Sequence, residues 1–142
     1  MKDVYIITGG SSGIGLEAAK EFKDGIVLIN GRNEERLIKA EEELKEAGID
    51  VVYKTSDISD KNSVAALFEY GKSLGKIKAV INSAGVSGVG VDARLTFEID
   101  LVGSQNLIDL TMEYMEEKTV LILISSMMGH VVPSNDKYDD FF

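Results

Sequence analysis

Five short runs of β-branched and aliphatic residues punctuate the chain, at residues 4–8, 26–30, 51–55, 79–82 and 120–124. Each has strand length and little polar alternation, as a strand covered on both faces should. Between them the apolar positions switch to a helical period. One helical segment covers residues 14–22, opening from a glycine-rich turn and ending near Gly25. The next takes Asn33 as its cap and sets Leu37, Ala40, Leu44 and Ala47 on one stripe. It turns Glu41, Glu42 and Glu46 outward and closes at Gly48. A third follows Ser59 and Asp60 through Val64, Leu67, Phe68 and Leu74. A longer one, over residues 93–117, is apolar on more than one side: Leu95, Ile99 and Val102, then Leu101, Ile108, Met112 and Met115. Two apolar faces imply two neighbours, so one face is expected to meet another subunit or to lie deeper within the same chain.

Strand and helix alternate five times, with no repeat or linker between them. Right-handed crossovers turn that alternation into an α/β fold, a Rossmann-type doubly wound parallel sheet. The expected strand order is 3-2-1-4-5, with a ligand at the carboxyl edge where the order reverses.

Composition narrows the partners. With 142 residues the chain holds one domain, large enough for a real core. Its net charge of −9 offers no basic stripe for nucleic acid. It has no cysteine, which excludes disulfides, thiolate metal sites and thiol catalysis. His130 is the sole histidine, so a metal centre or hydrolase triad lacks partners, and no metal site is expected. The apolar run after Met1-Lys2-Asp3 is too short for a signal-peptide core, and no stretch approaches the roughly 20 apolar residues of a membrane span. A cytoplasmic location is the expectation.

The candidate chemistry starts at Thr8-Gly9-Gly10-Ser11-Ser12-Gly13-Ile14-Gly15, directly after the first strand. A strand running through a glycine-rich turn into a helix makes a phosphate cradle, with Gly9, Gly13 and Gly15 lacking the Cβ that would block it. The spacing TGxxxGxG differs from GxGxxG and lacks the GK[ST] ending of a phosphate-hydrolysing loop. Strand two ends in Asn30-Gly31-Arg32-Asn33. An arginine there can pair with a 2′-phosphate, so Arg32 favours NADP, with NAD as the alternative; otherwise it is a solvated charge at a helix start. Asp57 follows strand three, where a carboxylate can accept from an adenine amino group or simply cap the next helix. Asn82-Ser83-Ala84-Gly85 ends strand four, its small residues letting the backbone approach a cofactor and Asn82 bracing neighbouring strands. Ser125-Ser126-Met127-Met128-Gly129 follows strand five and places a hydroxyl beside the crevice.

In the order TGGSSGIG, NGR, DI, NSAG and SSMMG, the chain resembles the short-chain dehydrogenase/reductase family in its compact single-domain branch. The resemblance implies that Ser11, Ser12 and Ile14 contact the phosphates, Asp57 and Ile58 the adenine, and Asn82, Ala84 and Gly85 the ribose side. It implies that Ser126 is the catalytic serine orienting a small-molecule carbonyl or alcohol substrate. It also implies a tyrosine that moves the proton, and a lysine four residues later on the same helix face.

That YxxxK pair is absent. Tyr138 is the sole tyrosine after Ser126, and the position four beyond it is Phe142. The run Gly129-His130-Val131-Val132-Pro133 resembles the start of an insertion that separates serine from tyrosine in hydroxysteroid dehydrogenase and carbonyl reductase types. Asp100 stands where the family carries an asparagine. The expectation is a single NAD(P)-binding Rossmann-type domain over residues 1–142, incomplete at its C-terminal end, with strand five an edge and a helix face uncovered. Such a chain is expected to be a homo-oligomer. Two functions follow: an NAD(P)-dependent oxidoreductase inactive as this chain alone, or a non-catalytic dinucleotide-binding or interaction module.

Overall fold

The computed structural model describes residues 1–85 and 92–124. The strands β1 (Asp3–Thr8), β2 (Ile26–Gly31), β3 (Asp50–Thr55), β4 (Lys76–Asn82) and β5 (Val120–Leu123) form one parallel sheet in the order β3-β2-β1-β4-β5. The expected order is therefore the observed one. The helices α1 (Gly13–Ala19), α2 (Glu34–Glu46) and α3 (Lys61–Leu74) each follow a strand, and α4 (Ala93–Phe97), a π-helical turn (Glu98–Gly103) and α5 (Ser104–Tyr114) lead to β5.

Strand pleating divides the core in two. Val4 and Ile6 of β1 and Leu28 of β2 join Val64, Leu67, Phe68, Leu107 and Leu110 on the face of α3 and α5. Their neighbours Ile7, Val27 and Ile29 join Leu37, Ala40 and Leu44 on the other face, under α2. Residues on one strand thus serve opposite layers, which is why β1 and β2 read as unbroken apolar runs. Asn33 caps α2 by accepting from the Arg36 N–H at 3.1 Å, as its position predicts, and Asp60 caps α3 through the Asn62 and Ser63 N–H groups.

Three boundaries differ from the sequence reading by more than one residue. β4 begins at Lys76, three residues before the expected start at Ala79, because the Lys76 N–H donates to the Lys2 carbonyl at 2.9 Å and extends the ladder. Its outward lysines pair at the surface, Lys76 with Glu116 and Lys78 with Asp3, and so disguise the strand. Helix α1 stops at Ala19, short of the expected Phe22; the N–H groups of Lys20, Glu21 and Phe22 each bond three residues back, a 3₁₀-type tightening. The expected single helix over 93–117 is interrupted by the π turn and ends at Tyr114. There Thr119 holds the chain, its hydroxyl accepting from the Glu116 N–H and donating to the Ile77 carbonyl, both at 3.0 Å.

Apolar residues are left open in two places among the described residues: Leu101 and Met112 on the last helical segment, and Val120 and Ile122 on the side of β5 opposite α5. β5 is the edge strand there.

Tyr5 links stability to alkaline pH. Its ring is buried and stacks on Phe22 at 4.2 Å, and its hydroxyl donates to Asp24 at 3.0 Å. Burial, then the Asp24 carboxylate, pushes the phenol up from its ordinary 10.0 to about 12. A group whose folded pKa is raised contributes stability fully present below the unfolded value and lost as pH climbs through the folded one. Chemical denaturation should therefore show stability falling between pH 10 and about 12, with a shallower fall in Tyr5→Phe.

Candidate functional site

The carboxyl ends of β1 and β4 part company at the point where the strand order reverses, and the side chains there are tied together. The buried Thr8 hydroxyl donates to Asn82 Oδ1 at 2.7 Å. Asn82 Nδ2 donates to Ser104 Oγ at 3.1 Å, and Ser104 Oγ donates to the Asp100 carbonyl at 2.6 Å. Ser83 closes the other side, its hydroxyl donating to the Thr8 carbonyl at 2.7 Å. Asn82 does brace its neighbours as its position suggests, through partners the sequence does not reveal. Replacing Asn82 by leucine strands the Thr8 hydroxyl, which should cost about 1–3 kcal/mol in denaturant titration. Adding Thr8→Val should recover part of that loss, since the stranded group is then gone.

The glycines of the first turn have different reasons. Gly9 has φ +66, and a Cβ there would stand 2.7 Å from the Ala84 nitrogen. Gly15 is buried, and its Cβ would meet Ser83 Oγ and the Gly9 carbonyl. Gly13 faces open space at φ +55, so its backbone conformation and not its neighbours asks for glycine. Ser12, Gly13 and Ile14 are exposed at the start of α1, and the Ser12 side chain makes no cap bond. The helix entrance is thus left open to solvent.

Two cavities meet at this edge. The first, about 140 Å³, is lined by Gly9, Asn30, Gly31, Arg32, Ser56, Asp57, Ile58, Ala84, Gly85 and Ile99. Six of the expected residues line it together: Gly9, Arg32, Asp57, Ile58, Ala84 and Gly85. The second, about 370 Å³, is lined by Asn82, Ser83, Ala84, Gly85, Asp100, Ser104 and Ile124. Ser11, Ser12, Gly13, Ile14 and Gly15 line neither. Ser11 Oγ nevertheless lies 3.7 Å from where a Cβ on Gly31 would be, beside the first cavity's wall. Ser126, Tyr138 and His130 lie outside the described residues.

The walls are held by bonds of long sequence range and by one local turn. Asn30 Nδ2 donates to the Lys54 carbonyl at 3.0 Å and to the Ser56 hydroxyl. Asp57 Oδ1 accepts from the Ser59 N–H at 3.0 Å and the Ser59 hydroxyl at 2.7 Å, which fixes the carboxylate's direction. Buried Asn106 donates to the Ile58 carbonyl at 2.9 Å, and Gly103 packs against the Ile58 side chain, where a Cβ would stand at 2.7 Å. Arg32 is exposed beside Thr55, Ser56 and Asp57 in an open groove, and among the described residues it forms no ion pair. Asn30, Ser56 and Ser104 are the contributors that sequence reasoning missed; the one signal available was that Ser104 sits four residues after Asp100.

A further hollow of about 350 Å³, among Glu69, Lys72, Ile77 and Tyr114, lies by the start of β4. Ligands of open α/β sheets bind at the opposite, carboxyl edge.

The short chain dehydrogenase family model matches residues 3–138. The chain belongs to that family. Short-chain dehydrogenase/reductase 1 of Saponaria officinalis is 38% identical over 97 residues, 64% of this chain and 32% of that protein. The 3beta-hydroxysteroid dehydrogenase of Mediterraneibacter gnavus is 38% identical over 88 residues, 60% of this chain and 32% of that protein. Among solved structures, a short-chain dehydrogenase/reductase from Burkholderia phymatum in complex with NAD superposes with TM-score 0.81 at 23% identity, over 93% of this chain and 52% of that one. An actinorhodin polyketide ketoreductase with NADPH gives 0.80 at 26%, over 91% and 55%. This short-chain dehydrogenase chain spans about a third of the length of those two curated relatives and about half of each solved chain. No helix among the described residues is long and apolar enough to cross a membrane.

Proposed function

We propose that residues 1–142 form a single NAD(P)-binding domain of an oxidoreductase acting on a carbonyl or secondary alcohol, and that this chain alone binds cofactor without turning substrate over. The observation that carries the reading is the convergence of Gly9, Arg32, Asp57, Ile58, Ala84 and Gly85 on one cavity at the point where the strand order reverses.

The residues fit a dinucleotide. The backbone at Gly9 and Ala84 approaches so closely that a Cβ would fill the space, and the open entrance of α1 presents Ser12 and Ile14. Arg32 would take a 2′-phosphate, Asp57 and Ile58 the adenine, and Asn82, Ala84 and Gly85 the second ribose, with Ser11, Ser12 and Ile14 toward the phosphates. Bound there, the cofactor supplies or accepts hydride. Ser126 would orient the substrate oxygen. Arg32 makes NADP the preferred form over NAD. The insertion-like run at 129–133, together with the likeness to a 3beta-hydroxysteroid dehydrogenase, supports a hydroxysteroid or simpler carbonyl substrate. The lack of a YxxxK pair in these residues supports the second reading, a non-catalytic dinucleotide-binding module. The exposed apolar residues of the last helix and β5 support a homo-oligomer, and the acidic, cysteine-free composition a cytoplasmic one.

The test is a pair of measurements on the 142-residue chain. NADPH should bind with enhanced nicotinamide fluorescence and more tightly than NADH, while simple ketones are not reduced. Robust turnover contradicts the inactivity, and absence of binding contradicts the site.

A further inference from the structure

We propose that Asp100 biases this site toward the oxidised, cationic form of the nicotinamide cofactor. The inference rests on the dinucleotide reading and adds to it a preference between the two redox states.

A dinucleotide laid across a doubly wound sheet puts one nucleoside on each side of the point where the order reverses. Arg32 and Asp57 mark the β2–β3 side as the adenosine half. The nicotinamide half then falls to the cavity on the β4–β5 side, which adjoins the first through Ala84 and Gly85. Among the described residues lining that second cavity, Asp100 carries the only charge. Its Oδ1 lies 3.3 Å from where a Cβ on Gly85 would stand, against the wall common to both cavities.

The backbone position of residue 100 is built in. Asp100 sits in the π-helical turn Glu98–Gly103, a rare conformation that recurs at functional sites. At the end of that turn the Ser104 N–H donates to the Leu101 carbonyl, and the Ser104 hydroxyl takes the Asp100 carbonyl instead. Ser104 is in turn held by Asn82, and Asn82 by the buried Thr8. Residue 100 is thereby anchored through its backbone to the two central strands.

The oxidised nicotinamide ring carries a positive charge and the reduced ring is neutral. A carboxylate at the cavity therefore attracts one and is nearly indifferent to the other. Asp100 is exposed, so water and salt weaken the effect, and a discrimination of about fivefold is expected at low ionic strength.

Calorimetric titration of the 142-residue chain with NADP+ and with NADPH, at low and high salt, tests this. The wild-type chain should favour NADP+ by about five times more than Asp100→Asn does, and high salt should erode the difference. The same nucleotide lacking its nicotinamide should bind both chains equally, which reports that the variant is folded. An unchanged ratio in a variant that still binds this fragment overturns the inference alone. If the variant does not bind it, the wild-type chain decides: a ratio that salt does not move overturns the inference. Failure of the wild-type chain to bind any of the three nucleotides overturns the dinucleotide reading, and this inference with it.

Discussion

Gly9→Ala should abolish dinucleotide binding and lower the stability of the chain by about 2–5 kcal/mol, read by nucleotide titration and by denaturant unfolding. Two independent penalties add at this position. The backbone sits at φ +66, where an L side chain clashes with its own carbonyl, at a cost of about 1–2 kcal/mol. The new methyl would also stand 2.7 Å from the Ala84 nitrogen and 2.9 Å from its Cα, and these are backbone atoms that cannot swing aside. Relief requires the β1 turn and the segment after β4 to separate, which opens the wall that Gly9 and Ala84 share in the first cavity. Gly13→Ala isolates the first penalty. Its φ is +55 with no atom within 4 Å of the added Cβ, so it should cost only about 1–2 kcal/mol. Equal losses at the two glycines would mean that the close approach to Ala84 carries no energy.

Arg32→Glu should weaken NADPH binding by about 100-fold and leave NADH nearly unchanged. A guanidinium paired with a phosphate forms charge-assisted hydrogen bonds worth about 1.5–3 kcal/mol, and reversing the charge adds repulsion. A loss near 2.7 kcal/mol corresponds to about 100-fold in affinity. Arg32 is exposed in an open groove beside Ser56 and Asp57, so the substitution strands no buried group and stability should hold. Arg32→Lys should fall between, because an ammonium keeps the charge but not the planar fork. Equal losses for both nucleotides would remove Arg32 from any 2′-phosphate contact.

These two positions are also where the sequence speaks most directly. An apolar strand running into Gly9, and an arginine just past the end of β2, are local signals, and the parallel order places them at one edge. The core was legible for the same reason, since Leu37, Ala40 and Leu44 keep a helical period and all three are buried. What the sequence hides is pairing over long range. Nothing near Asn30 points to Ser56; the two meet because β2 and β3 are neighbours and the chain turns inward after Thr55. Thr8, Asn82 and Ser104 form one network across three elements, and only the folded topology joins them. The π turn shows in the sequence only as apolar positions on more than one side of the helix, because one extra residue turns the stripe beyond it by roughly 100°. Lys76 and Lys78 conceal the start of β4 by showing polar residues on a strand whose partners lie seventy residues away.

The central claim is that the edge between β1 and β4 is the cofactor site. Amide chemical shifts of the isotopically labelled 142-residue chain, followed as NADPH is added, test it most directly. The largest changes should fall on Gly9, Arg32, Asp57, Ala84 and Gly85, with Glu69, Lys72 and Tyr114 at the far end of the sheet unmoved. Changes confined to that far hollow, or none at all, would contradict it.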